Sequence, residues 1–132
     1  MNEIKFIDLC CGLGGFRVAL NNINNYKFKC VLSADIKSDA LKAYNLNFEE
    51  NNKKQDIYEL KPDKVPDHAL LCAGFPCQPF SSAGNKKGFD DKRGGMIFNI
   101  VDIAREKKPS VIVLENVYNL LTLDNGNCIK QI

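Results

Sequence analysis

The run Leu70-Leu71-Cys72-Ala73 is short, apolar and unbroken, the pattern of a strand covered on both faces. Such a strand belongs in a parallel sheet with a layer on either side, and that requirement organises the rest of the chain. It runs at once into Gly74-Phe75-Pro76-Cys77-Gln78-Pro79-Phe80-Ser81-Ser82. Pro76 and Pro79 fix φ at their own positions and push Phe75 and Gln78 towards extended backbone. Cys77 therefore sits on a stiff turn just past a strand end, where open α/β sheets bind their ligands. A thiol held this way is preorganised for attack, although the same residues also suit a plain proline-rich turn.

The remaining segments supply the layers. Ile4 to Leu9 reads as a first strand, followed by the turn Gly12-Leu13-Gly14-Gly15 and a helix with Phe16, Ala19, Leu20 and Ile23 on one face. A strand, a glycine turn and a helix let backbone N–H groups approach a nucleotide-type ligand. Arg17 stands where a dinucleotide fold would have its third glycine, which disfavours a nicotinamide cofactor. Cys30 to Ala34 reads as a second strand ending at Asp35, about 20 residues past the glycines, where a carboxylate can accept from a ribose or cap a helix.

Ala40, Leu41, Tyr44 and Phe48 mark a second helix, Gln55-Asp56-Ile57 a short strand, and Pro62 to Pro66 a loop. His68 lacks a ligand-spaced partner and reads as a solvated or capping residue. Gly84 to Gly95 is a glycine-rich charged loop; Ile97, Ile100, Val101 and Ala104 define a helix that ends before Pro109. Val111 to Leu114 is another apolar strand, delivering Glu115 to the same edge as Cys77; a turn at Leu123 to Gly126 and a last helix from Asn127 follow. Strands alternating with helices predict an α/β domain with a parallel sheet.

Size and charge narrow the function. A chain of 132 residues, 45% hydrophobic, suffices for one domain, burying about 65–70% of its unfolded surface. Eighteen Lys and Arg against sixteen Asp and Glu leave a net charge of +2, so any nucleic-acid binding is local and no polycationic body gathers it. The six cysteines form no Cys-x-x-Cys pair and read as reduced core thiols, with no metal expected. No leader and no membrane-length apolar run is apparent, and the expected location is cytoplasmic.

Three motifs carry a resemblance. Gly74-Phe75-Pro76-Cys77-Gln78-Pro79-Phe80-Ser81 resembles the nucleophile motif of the cytosine-5 DNA methyltransferases, bacterial restriction-modification type. Phe6-Ile7-Asp8-Leu9 with Gly12-Leu13-Gly14-Gly15-Phe16-Arg17 resembles that family's S-adenosylmethionine loop, and Glu115-Asn116-Val117 its cytosine-recognition motif. The resemblance implies a Rossmann-like S-adenosylmethionine-dependent methyltransferase fold, with helices on both faces of the sheet and incomplete at the C-terminus. It implies Cys77 and Glu115 as catalytic, and Gly12, Leu13, Gly14, Gly15, Asp35, Ile36, Asp56, Ile57 and Gly74 as cofactor-binding. Ser81, Lys86, Lys87, Lys92 and Arg93 are then the candidates for contacts with double-stranded DNA.

Members of the family usually continue with a Gln-x-Arg-x-Arg motif, further strands and a target-recognition domain. These 132 residues contain none of them. The expectation is therefore a partial catalytic domain over 1–132, completed by a second polypeptide, and with an exposed apolar sheet edge until it is covered. A remnant that binds cofactor or nucleic acid without activity is the alternative from another class, and an RNA-methylating branch with the same motifs is a third. Cys10 and Ile36 stand where many members have aromatic residues packed on the adenine.

Overall fold

A computed structural model describes residues 2–76 and 95–132. Four parallel strands lie in the order β2-β1-β3-β4: β1 is Glu3–Leu9, β2 Lys27–Ala34, β3 Leu70–Gly74 and β4 Val111–Glu115. The main helices are α1 (Gly15–Asn21), α2 (Ser38–Phe48) and α3 (Met96–Lys107), and a short α4 (Asn127–Lys130) follows β4. This is a Rossmann-like arrangement.

Alternation along the strands divides the core. Ile7, Leu9, Leu71 and Ala73 pack with Ile97, Ile100 and Ile103 of α3 on one face, while Phe6, Leu70 and Cys72 pack with Phe16 and Leu20 of α1 on the other. Each buried isoleucine of α3 contributes about 1.5–3 kcal/mol through removal of its side chain from water. Helices thus cover both faces, as the unbroken apolar run of β3 requires. Among the described residues, no helix is long and apolar enough to cross a membrane.

Some local expectations change. β2 begins at Lys27, earlier than its apolar run, because Phe28 and Cys30 pack inwards while Lys27 pairs with Glu3 on β1 at 3.2 Å. α1 stops at Asn21, and Ile23 lies outside the helix and exposed; the Asn22 side chain donates to the carbonyl of Val18 and ends the helix there. Gln55-Asp56-Ile57 is no strand: the Asp56 carboxylate accepts from the N–H of Tyr58 and starts a 3-10 turn, Ile57–Glu59. His68 is buried, not solvated, with Nδ1 2.8 Å from the carbonyl oxygen of Pro66.

Candidate cofactor cavity and catalytic edge

The loop after β1 is built on left-handed backbone. Cys10, Gly12 and Gly14 have φ of 56°, 52° and 90°. The turn is tied to β2 by the N–H of Cys11, which donates to the carbonyl of Ala34, and by the N–H of Gly12, which donates to Asp35 Oδ2 at 2.8 Å. The other oxygen of Asp35 accepts from the N–H of Lys37, also at 2.8 Å, and its carbonyl accepts from Gln55. Asp35 thereby joins the glycine turn, the start of α2 and the Asp56 segment. Each carboxylate oxygen retains acceptor capacity after one such bond.

These segments enclose a cavity of about 490 Å³ at the carboxyl ends of the strands, within the usual size range of small-molecule sites. Of the residues expected to bind cofactor, Gly12, Asp35, Ile36, Asp56, Ile57 and Gly74 line it. Leu13, Gly14 and Gly15 do not. Leu13 is exposed, Gly15 opens α1, and Gly14 caps α1 against α2, where any β-carbon would run into the Phe48 ring. Sequence reasoning passed over Met96, at the start of α3, which lines the cavity with its Sδ 3.3 Å from Cys10 Sγ. Cys10 was legible because it follows the Asp-Leu of the first strand; Met96 carries no motif.

Parallel pairing sets Gly74 opposite Glu115. The Glu115 carboxylate lies against Gly74, with Oε2 3.2 Å from where a β-carbon would stand and the Phe16 ring 4.0 Å from the same point. The neighbouring Asn116 donates through Nδ2 to the carbonyl of Phe75 at 3.2 Å, tying the ends of β3 and β4 together. Glu115 is exposed, because β4 is the outer strand of the sheet among the described residues.

Electrostatics sorts the thiols. Cys10, Cys11, Cys30, Cys72 and Cys128 are unbridged. Burial pushes all five above the ordinary thiol range, Cys10 and Cys72 to about 12. They are inert protonated core groups at neutral pH. Asp8, fully buried on the α1 side of β1, has no hydrogen-bond partner for either oxygen among the described residues. Its burial raises its carboxyl to about 7 against the opposing pull of Arg17. Arg17 reaches from α1 to Glu50 at 2.7 Å and stacks 4.5 Å from the Phe48 ring centroid, bracing α1 against α2.

Cys77, Ser81, Lys86, Lys87, Lys92 and Arg93 lie outside the described residues. Among those described, no three His, Cys, Asp or Glu side chains gather as a metal site.

A family model described as C-5 cytosine-specific DNA methylase matches residues 4–132. The chain is 46% identical over 132 residues to a type II methyltransferase, M.HhaI, of Haemophilus parahaemolyticus, covering all of this chain and 39% of that protein. It is also 46% identical over 132 residues to M.HaeII of Haemophilus aegyptius, covering 40% of it. The chain thus spans about two fifths of the length of these relatives. Among solved structures, the S. pombe Dnmt2 methyltransferase superposes with a TM-score of 0.77 at 25% identity, over 98% of this chain and 39% of that one.

Proposed function

Because the chain belongs to the C-5 cytosine-specific DNA methylase family, we propose that it is the cofactor- and nucleophile-bearing part of a restriction-modification DNA (cytosine-5)-methyltransferase, acting on double-stranded DNA. Residues 1–132 then carry the cofactor and nucleophile motifs of the catalytic domain. The observation that carries this reading is Gly74, which lines the cavity and also lies against the Glu115 carboxylate. Cofactor and target base then meet across one residue.

S-adenosylmethionine in this cavity supplies an electrophilic methyl group. Asp35, with acceptor capacity beyond the Gly12 and Lys37 bonds, holds ribose hydroxyls, and Asp56, whose Oδ1 takes the Tyr58 N–H, accepts from the adenine amine. Gly12 gives close backbone approach, and Ile36 and Ile57 give apolar contact. Leu13, Gly14 and Gly15 act indirectly, by shaping the turn.

The cytosine C5 is a weak nucleophile until a group adds at C6. Cys77, in the Gly74-Phe75-Pro76-Cys77 motif that resembles the family's nucleophile motif, is assigned as the nucleophile. Its thiolate would add to C6 while Glu115 holds a proton at N3, and C5, made electron-rich, would take the methyl group as the sulfonium S–CH3 bond breaks and a neutral thioether leaves. The C5 proton then leaves to a base, the C6–S bond breaks, and aromaticity returns with the thiolate free. The base must leave the duplex to reach this edge, and Ser81, Lys86, Lys87, Lys92 and Arg93 are assigned to the DNA backbone beside it.

The test is transfer of labelled methyl from S-adenosylmethionine to duplex DNA by the chain, alone and with the remaining segment of a relative, using Cys77→Ala as control. Cys77-dependent label on cytosine C5 is expected with the added segment. No transfer in any combination sinks the enzymatic reading and leaves a binding remnant, and label on RNA in preference to DNA moves the substrate class.

A further inference from the structure

We infer that Tyr58 is the aromatic wall on which the purine of the cofactor packs, holding the base in place while Asp56 reads its edge. This rests on the reading above that the cavity takes S-adenosylmethionine. The composition of the lining carries it. Among the described residues that line the cavity, Tyr58 alone is aromatic. Cys10, Ile36, Ile57 and Met96 line it too and offer apolar contact, but none has a flat face to set against a flat ring.

The segment that carries Tyr58 is tied down at the two points a nucleoside needs. The N–H of Gln55 donates to the carbonyl of Asp35 at 3.0 Å, which joins the segment to the residue assigned to the ribose. One residue on, Asp56 Oδ1 accepts from the N–H of Tyr58 at 2.9 Å and starts the 3-10 turn Ile57–Glu59. That bond leaves Oδ2 for the base amine. Ile57 is buried and anchors the turn, and Tyr58 packs half-buried against the same α3-side core that holds Met96. A nucleoside with its ribose at Asp35 and its amine at Asp56 therefore has its base beside the one described residue of the lining with a ring to offer.

The competing role for Tyr58 is packing of the 3-10 turn on the core, with no part in binding. The two roles separate by shape. A leucine keeps apolar volume against the core but has no face for a base, whereas a phenylalanine keeps both.

The experiment titrates S-adenosylhomocysteine and S-inosylhomocysteine, which differ only at the 6-position of the purine, into the full chain by calorimetry, alone and joined to the remaining segment of M.HhaI. Tyr58→Leu should weaken both ligands by the same factor, at least about 10-fold, and Tyr58→Phe should stay within about threefold of the parent. Asp56→Asn keeps the acceptor for the Tyr58 N–H and turns the other oxygen into a donor, so it should move preference from the adenosine to the inosine ligand. The sequence contains no tryptophan, so Tyr58→Trp places a single indole at the site. Its emission should be quenched as ligand saturates the cavity.

Binding by Tyr58→Leu equal to that of the parent, a loss in Tyr58→Phe as large as in Tyr58→Leu, or indole emission unchanged at saturation overturns the assignment of Tyr58 and leaves the cofactor reading standing. A parent that binds neither ligand in either format overturns the cofactor reading, and the wall falls with it.

Discussion

Gly74 and Glu115 are register partners on adjacent parallel strands, and the Glu115 carboxylate lies across Gly74 with Oε2 3.2 Å from the place a β-carbon would take. That separation is tighter than ordinary van der Waals contact, so Gly74→Ala must displace the carboxylate. Glu115 is at the exposed edge and can yield, so the fold survives. In the completed enzyme the variant should bind S-adenosylmethionine within about threefold of the parent yet transfer methyl at least about 10-fold more slowly, a loss of about 1.4 kcal/mol or more at the transition state. Titration calorimetry with single-turnover assays checks both; unchanged transfer refutes the role given to this contact.

Asp35 is asked to hold the glycine turn and to bind a cofactor. Asp35→Asn keeps the shape but turns one of its two acceptors into a donor facing Gly12 or Lys37 N–H. Cofactor affinity should fall at least about 10-fold, and stability by about 1–2 kcal/mol. Calorimetric titration and urea unfolding of the isolated chain measure the two losses separately.

Asp8 makes stability depend on pH. Its carboxyl is raised to about 7 by burial, above an unfolded value of 3.8, so the folded state holds a proton that the unfolded chain releases. The stabilisation is complete below about pH 4, is lost as pH climbs through the window to about 7, and changes no further above it. At about 1.4 kcal/mol per unit, this group alone removes about 4 kcal/mol across the window. Asp8→Asn should abolish that slope, read as the difference in urea-unfolding free energy between pH 4.5 and pH 8.

Gly12 and Gly14 separate strain from collision. Both have positive φ, but a β-carbon on Gly12 meets nothing within 4 Å, whereas one on Gly14 strikes the Phe48 ring and crowds Tyr44. Gly12→Ala should cost about 1–2 kcal/mol for the left-handed backbone alone. Gly14→Ala should cost a further 1–3 kcal/mol or so, because α1 and α2 must move apart. Equal losses in thermal unfolding would contradict this division.

Period and turn chemistry are local, and what depends on them was legible in the residues themselves. The apolar runs of β1, β3 and β4, the faces of α2 and α3, and the arrival of Asp35 and Glu115 at strand ends all follow from hydrophobic spacing and from the breakers beside it. The motif around Cys77 carried the family in the same way. Tertiary structure decided what depends on which strand lies beside which. Register made Gly74 the wall between the cavity and Glu115, and helix placement set Met96 against Cys10 and Gly14 against the Phe48 ring. The apolar spelling of β3 and β4 is nearly the same, but neighbours on both sides bury one, and a place at the end of the sheet exposes the other. Burial is a property of neighbours, and no run of four residues contains its own.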